Sequence, residues 1–134
     1  MYYVTFRSAR GELPPECRKE VCAVIARGDG SRFRLYVAAV MPDHVHVLLQ
    51  PLEKGAGGWY DLSGIMKGIK GASARAVNIR AGMSGTVWQK ESCDRIVRDE
   101  IEFVEKWRYI LENPIRAGLA KEDDDYPFFV FGVT

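Results

Sequence analysis

Two apolar runs with three residues between them constrain this chain more than any other feature. Phe33 to Val40 reads Phe-Arg-Leu-Tyr-Val-Ala-Ala-Val, and His44 to Leu49 reads His-Val-His-Val-Leu-Leu, joined by Met41-Pro42-Asp43. A connection that short cannot carry a parallel crossover, so the two runs are predicted to be antiparallel strands of one hairpin. Alternation places Phe33, Leu35, Val37 and Ala39 on one face of the first strand. In the second strand Val45, Val47 and Leu49 form the apolar side, which leaves His44 and His46 together on the other.

The other elements arrange themselves around this hairpin. Tyr2 to Phe6 is β-branched and aromatic and reads as a strand. Pro14-Pro15 opens a helix to about Arg27, with Val21, Val24 and Ile25 at helical spacing and Gly28-Asp29-Gly30 as its stop. Glu53 to Trp59 is a glycine-rich loop. Asp61 is a suitable N-cap for a second helix to about Ile79. Its Leu62, Ile65, Met66, Ile69, Ala72, Ala76 and Val77 fit the helical period. After a loop from Arg80 to Val87, Trp88 begins a linker into a fourth strand near Cys93 to Val97. Asp99 caps a last helix from about Glu100 to Glu112, ended by Asn113-Pro114 because the residue before proline resists helical geometry. The aromatic tail Tyr126 to Val130 is expected to pack back on the domain. The order is β-α-β-β-α-β-α. Its first six elements match the ferredoxin-like, split β-α-β arrangement of the α+β class: an antiparallel sheet with two helices on one face, here with an added C-terminal helix. A length of 134 residues fits one domain over 1–134.

Composition removes several classes. Hydrophobic residues make up 47% and charged residues 28%, which excludes a wholly disordered chain. No run approaches a membrane span, and Met1-Tyr2-Tyr3-Val4-Thr5-Phe6-Arg7 lacks the layout of a signal peptide, so a cytoplasmic location is expected. Cys17, Cys22 and Cys93 form no disulfide framework and no zinc pattern; Cys17 and Cys22 diverge around a helix and read as small apolar fillers. Net charge is only +1, but it is unevenly placed. Lys67, Lys70, Arg75, Arg80 and Lys90 fall in a stretch from Leu62 to Lys90 without an acidic residue, whereas Glu122-Asp123-Asp124-Asp125 is an acidic run. Such a basic stretch is either a solvated helix face or a track for phosphates.

Few residues can do chemistry. His44 and His46 are the only histidines, and two imidazoles side by side suit one metal ion, or a plain surface pair. Tyr109 and Asn113 are spaced i and i+4, so they share a face of the last helix. Tyrosine can serve as a covalent nucleophile and an amide oxygen as a metal ligand; the alternatives are a packing tyrosine and a C-cap before Pro114. Asp43 suits the turn. Tyr60 and Trp88 could stack on bases or be buried in the core.

The string Val40-Met41-Pro42-Asp43-His44-Val45-His46-Val47-Leu48-Leu49 resembles the HUH motif of single-strand transposases, in their REP-associated tyrosine transposase branch. The likeness continues through Leu62 to Gly71, Ser84 to Gln89 and Asp94 to Glu100. It ends at Arg108-Tyr109-Ile110-Leu111-Glu112-Asn113-Pro114-Ile115-Arg116-Ala117-Gly118-Leu119. The Tyr-x-x-x-Asn-Pro ending together with His-x-His makes it specific. The sequence departs from the pattern around Ser92-Cys93, where the family often carries an aromatic residue, and it ends soon after Phe128-Phe129.

The resemblance implies that His44, His46 and Asn113 bind a divalent ion, Mg²⁺ or Mn²⁺, and that Tyr109 is the nucleophile. Two imidazoles would by ligand preference favour a softer ion such as Mn²⁺ or Zn²⁺. It further implies cleavage and rejoining of single-stranded, hairpin-forming DNA through a 5′-phosphotyrosine link, by a monomer or homodimer, with Lys67, Lys70, Arg75, Arg80 and Lys90 on the DNA backbone. The competing readings are a ferredoxin-like module that binds RNA without catalysis, and a domesticated relative that binds DNA as a regulator.

Overall fold

The predicted hairpin forms, and the sheet grows outward from it. The computed structural model describes residues 1–122 and 125–133, so Asp123 and Asp124 of the acidic run lie outside the described residues. The elements are β1 (Tyr2–Ser8), α1 (Pro15–Gly28), β2 (Phe33–Val40), β3 (His44–Pro51), α2 (Leu62–Ala81), β4 (Trp88–Ile96), α3 (Glu100–Arg116) and β5 (Phe129–Phe131). The strand order is β4-β1-β3-β2-β5, with every neighbouring pair antiparallel. The first four strands have the ferredoxin-like order, so the expected α+β class holds. The aromatic tail does more than pack back: it adds β5 to the β2 edge.

Both faces of the sheet are covered. On one, Val4, Phe6, Leu35, Val45, Val47 and Leu49 pack with Val21 and Ile25 of α1 and Ile65, Ile69 and Val77 of α2. On the other, Val37, Ala39 and Leu48 meet Ile110 of α3, flanked by Phe103, Trp107 and Leu111. The alternation predicted for β2 fails halfway. Phe33 and Leu35 face α1 and α2, but Val37 and Ala39 belong to the cluster under α3. The cause is a β-bulge: the β2–β3 register shifts between Leu35 and Val37, and an extra residue turns every later side chain over.

Two other boundaries move. β4 starts at Trp88 rather than near Cys93, because Trp88 pairs with Ser8 of β1 across a second register shift. Trp88 is buried, donates from Nε1 to Ser73 Oγ at 3.0 Å and meets Phe6 edge-on, so it is a core residue with no face left for a base. Helix α3 does not stop at Asn113. It runs through Pro114 to Arg116, with Asp99 as its N-cap, accepting from Glu102 N at 2.9 Å. Pro114 is buried in this last turn, and the carbonyls of Asn113 and Pro114 accept from Ala117 N and Leu119 N at 3.0 and 2.8 Å. Burial and these bonds offset the missing proline N–H. The continuation matters, because it keeps Asn113 one regular turn from Tyr109.

Gly132, just past β5, touches the backbone of β2: its N–H bonds to Tyr36 O at 2.9 Å, and an added Cβ would collide with the Leu35 carbonyl. Gly132→Ala is therefore expected to loosen β5 and cost about 1–3 kcal/mol of stability, read as a lower urea midpoint. An unchanged midpoint would show that β5 contributes nothing to the folded sheet.

Candidate active site

The histidines sit beneath α3, not on a bare surface. β1 pairs with β3 so that Thr5 lies opposite His46 and Arg7 opposite His44. Residues directly opposite in a sheet share a face, so Tyr3, Thr5 and Arg7 form a floor beside the two imidazoles. His46 is only 4% exposed, whereas the His44 side chain keeps 17% of its surface. The Tyr109 ring stands edge-on to His46 with centroids 5.7 Å apart, and edge-on to Tyr3 at 6.2 Å. Arg116, paired to Glu112 at 2.8 Å, lies over the Tyr109 ring. The chain thus brings the Tyr109 ring beside its own histidines.

Each imidazole is held through its far nitrogen. His44 Nδ1 lies 2.7 Å from Asp43 Oδ1, and since a carboxylate only accepts, Nδ1 carries the proton and Nε2 is left with its lone pair. The same contact holds the Asp43 carboxyl below its ordinary value. His46 Nδ1 lies 2.7 Å from the Tyr3 hydroxyl and 3.2 Å from Thr5 Oγ1. The two Nε2 atoms face each other at 3.0 Å. Hydroxyls both donate and accept, so His46 has two satisfied states. With Tyr3 donating to Nδ1, His46 Nε2–H donates to His44 Nε2. With Nδ1–H donating to Tyr3, both Nε2 lone pairs converge. One tautomer change separates the two.

The His46 pKa is driven down from 6.5 to about 3, chiefly by burial and then by the neighbouring His44 and Arg7, against an opposing side-chain hydrogen bond with Asn113. His46 is therefore neutral at physiological pH, the form that ligates metals. The Asn113 contact also puts the third expected ligand beside the pair. Two donors 3.0 Å apart span adjacent positions on an ion with metal–nitrogen bonds of about 2.1 Å. Among the described residues no three His, Cys, Asp or Glu side chains converge to hold a metal, so an ion here would need the Asn113 amide oxygen beside the two imidazoles.

Sequence reasoning brought out His44, His46, Tyr109 and Asn113, and the fold gathers all four. It missed Tyr3, whose hydroxyl serves His46, and gave Asp43 only a turn to hold. Both partners depend on the β1–β3 register and on one side-chain rotamer, which a linear pattern does not encode. The basic stretch divides. Lys67, Lys70 and Lys90 line a cavity of about 760 Å³ between α2 and β4, on the opposite face from the histidines. Lys70 Nζ donates to Gln89 O at 2.8 Å and Lys90 O at 3.2 Å, so its ammonium fastens α2 to β4. Arg75 is exposed outside that cavity. Arg80, 13 residues after Lys67 and so about 140° round the helix, is felt by Cys17 of α1.

Fold and site together define an α+β protein whose ferredoxin-like sheet carries two histidines beneath a helix that bears a tyrosine and an asparagine. The chain belongs to the IS200-like transposase family, whose model matches residues 10–112 and so takes in His44, His46 and Tyr109. Its fold resembles the structure of a REP-associated tyrosine transposase bound to a REP hairpin, with a TM-score of 0.69 and 21% identity over 96% of this chain and 74% of that one. It also resembles a crystal structure of a candidate transposase from Deinococcus radiodurans R1, with a TM-score of 0.55 and 25% identity over 84% of this chain and 88% of the other. No curated protein matches the sequence. Among the described residues, no helix is long and apolar enough to cross a membrane.

Proposed function

We propose that this transposase-family chain cuts and rejoins single-stranded DNA through a covalent link to Tyr109. The observation that carries the reading is the approach of the Tyr109 ring to His46 within one chain, with Asn113 one turn along and in contact with the same imidazole. The Tyr109 oxygen attacks phosphorus of a phosphodiester and the bond to the 3′ oxygen breaks. The phenol proton is lost and the leaving 3′ oxygen gains one, so the products are a 5′-phosphotyrosine and a 3′ hydroxyl. The link conserves the ester bond, and a 3′ hydroxyl can reverse the step on another strand. A divalent ion, Mg²⁺ or Mn²⁺, held by His44 Nε2, His46 Nε2 and the Asn113 amide oxygen would supply Lewis-acid polarisation of the phosphoryl oxygens. Asp43 and Tyr3 fix the imidazoles that would hold it, and α3 fixes the angle of Tyr109.

The REP hairpin bound to the structural relative supports hairpin-forming single-stranded DNA as the substrate. Lys67, Lys90 and Arg75, exposed along α2 and β4, would contact its backbone, and Arg80 would meet it only where the DNA wraps toward α1. Incubating the protein with such an oligonucleotide and Mn²⁺, then resolving it under denaturing conditions, tests the proposal. A protein band carrying DNA is expected; its absence with every hairpin and ion tried would favour the non-catalytic DNA-binding alternative.

Tyr3 gives this reading a test of its own. Tyr3→Phe keeps the ring against His46 and Tyr109 but removes the hydroxyl from Nδ1. Loss of such an outer partner is expected to weaken Mn²⁺ binding about 10- to 100-fold in calorimetric titration. Binding as tight as in the unsubstituted protein would show that the tautomer of His46 needs no help from Tyr3.

A further inference from the structure

A second cavity, about 240 Å³, opens on the side of Tyr109 facing β4, and it is lined by Tyr3, Cys93, Asp94, Arg95, Lys106 and Tyr109. It continues the floor of the site. Cys93 lies opposite Thr5 and Arg95 opposite Tyr3 in the β1–β4 register, so Cys93 extends the row that begins at His46 and Arg95 the neighbouring row through Tyr3 on the same face. Helix α3 packs over β2 and β3 and leaves these β4 positions open. Lys106 enters from above, one turn before Tyr109, with its ammonium 5.1 Å from the Tyr3 ring centroid.

Among the described residues neither Arg95 nor Lys106 lies within ion-pair distance of a carboxylate, whereas Arg116 on the other flank of Tyr109 is neutralised by Glu112. Asp94 is the one acidic residue in the lining, but it lies opposite Val4 of the helix-covered core, so strand alternation sends its carboxylate to the other face. Two unpaired cations on an open aromatic-edged cleft beside a nucleophile are a place for an anion held by a stacked or sugar-bearing group.

We propose that this cleft is a subsite for the phosphate next to the scissile one in a single DNA strand, with Arg95 and Lys106 as its two charges. The inference rests on Tyr109 as the nucleophile that marks the scissile position. It means that the strand crosses the floor from the histidines over Tyr3 to β4, and that one flanking phosphate is gripped while cleavage occurs.

Methylphosphonate interference tests it, because that substitution removes one phosphate charge at a time. Binding is measured on the Tyr109→Phe protein with a single-stranded oligonucleotide neutralised at successive positions, so no chemistry is needed for the readout. Neutralising one phosphate adjoining the scissile position is expected to weaken binding about tenfold. In the same protein carrying Arg95→Gln and Lys106→Gln, that penalty should vanish and the log–log salt dependence should flatten by about 0.7, the value for one phosphate no longer neutralised. An interference profile and salt slope unchanged by the two glutamines would overturn the subsite. Covalent capture by the protein with Tyr109 intact reports separately on the nucleophile. Capture with no effect of the glutamines would sink only the subsite, whereas erased interference without capture would leave a phosphate site beside a tyrosine that does not react.

Discussion

Tyr109→Phe is expected to bind single-stranded hairpin DNA and Mn²⁺ as the unsubstituted protein does, yet to form no denaturant-resistant adduct and no cleavage product. The substitution removes one oxygen from a ring that is 40% exposed, so little packing is lost. The edge contacts with His46 and Tyr3 use the ring, not the hydroxyl. Free tyrosine ionises near pH 10, so the hydroxyl is useful as a nucleophile only in a site that stabilises its anion. Loss of the attacking atom should lower turnover by several orders of magnitude, the scale on which nucleophile deletions in other enzymes are measured. Parallel gels and binding titrations on the two proteins check this. Adduct formation by the phenylalanine protein would move the nucleophile elsewhere.

The second large effect belongs to His46. His46→Gln removes a ligand at the centre of the donor set and should abolish measurable Mn²⁺ binding at the site. It also changes the acid response of the metal-free fold. His46 refuses a proton until about pH 3 when folded, against 6.5 ordinarily. Below pH 6.5 the unfolded chain takes up a proton that the folded chain excludes, so stability falls as pH falls, through the window down to about 3. The loss should reach about 2 kcal/mol by pH 5. Glutamine does not titrate, so the variant should lack this slope between pH 6.5 and 5. The Asp43 carboxyl, held low by His44, adds a separate loss at more acid pH in both proteins. Urea midpoints at pH 7 and pH 5 with a chelator present decide the matter; parallel acid losses in the two proteins would contradict a buried neutral His46.

The elements were largely legible because periodicity is local. The three-residue link between Val40 and His44 allowed only a hairpin, and Asp61 and Asp99 cap α2 and α3 where a helix N-terminus needs an acceptor. What was not legible came from pairing across long sequence distances. The bulge at Tyr36 answers to the partner strand, and nothing in Phe33 to Val40 by itself shows that the face changes. Pro114 signalled a helix end, yet tertiary burial carries α3 one turn further. Residue type and spacing singled out His44, His46, Tyr109 and Asn113 as candidates, and the resemblance supplied their expected roles, but their setting was not legible. That His46 is buried, that Tyr3 holds its Nδ1, and that Lys70 is spent on the carbonyls of β4 all depend on which strand lies beside which.

The central claim is that Tyr109 becomes joined to the 5′ side of a cut DNA strand. The direct measurement is mass spectrometry of the protease-digested adduct formed with a single-stranded hairpin oligonucleotide and Mn²⁺. One modified peptide is expected, with the DNA on the Tyr109 oxygen through a 5′ phosphate, and a released fragment ending in a 3′ hydroxyl. DNA attached to any other residue, or a released fragment ending in a 3′ phosphate, would contradict that claim.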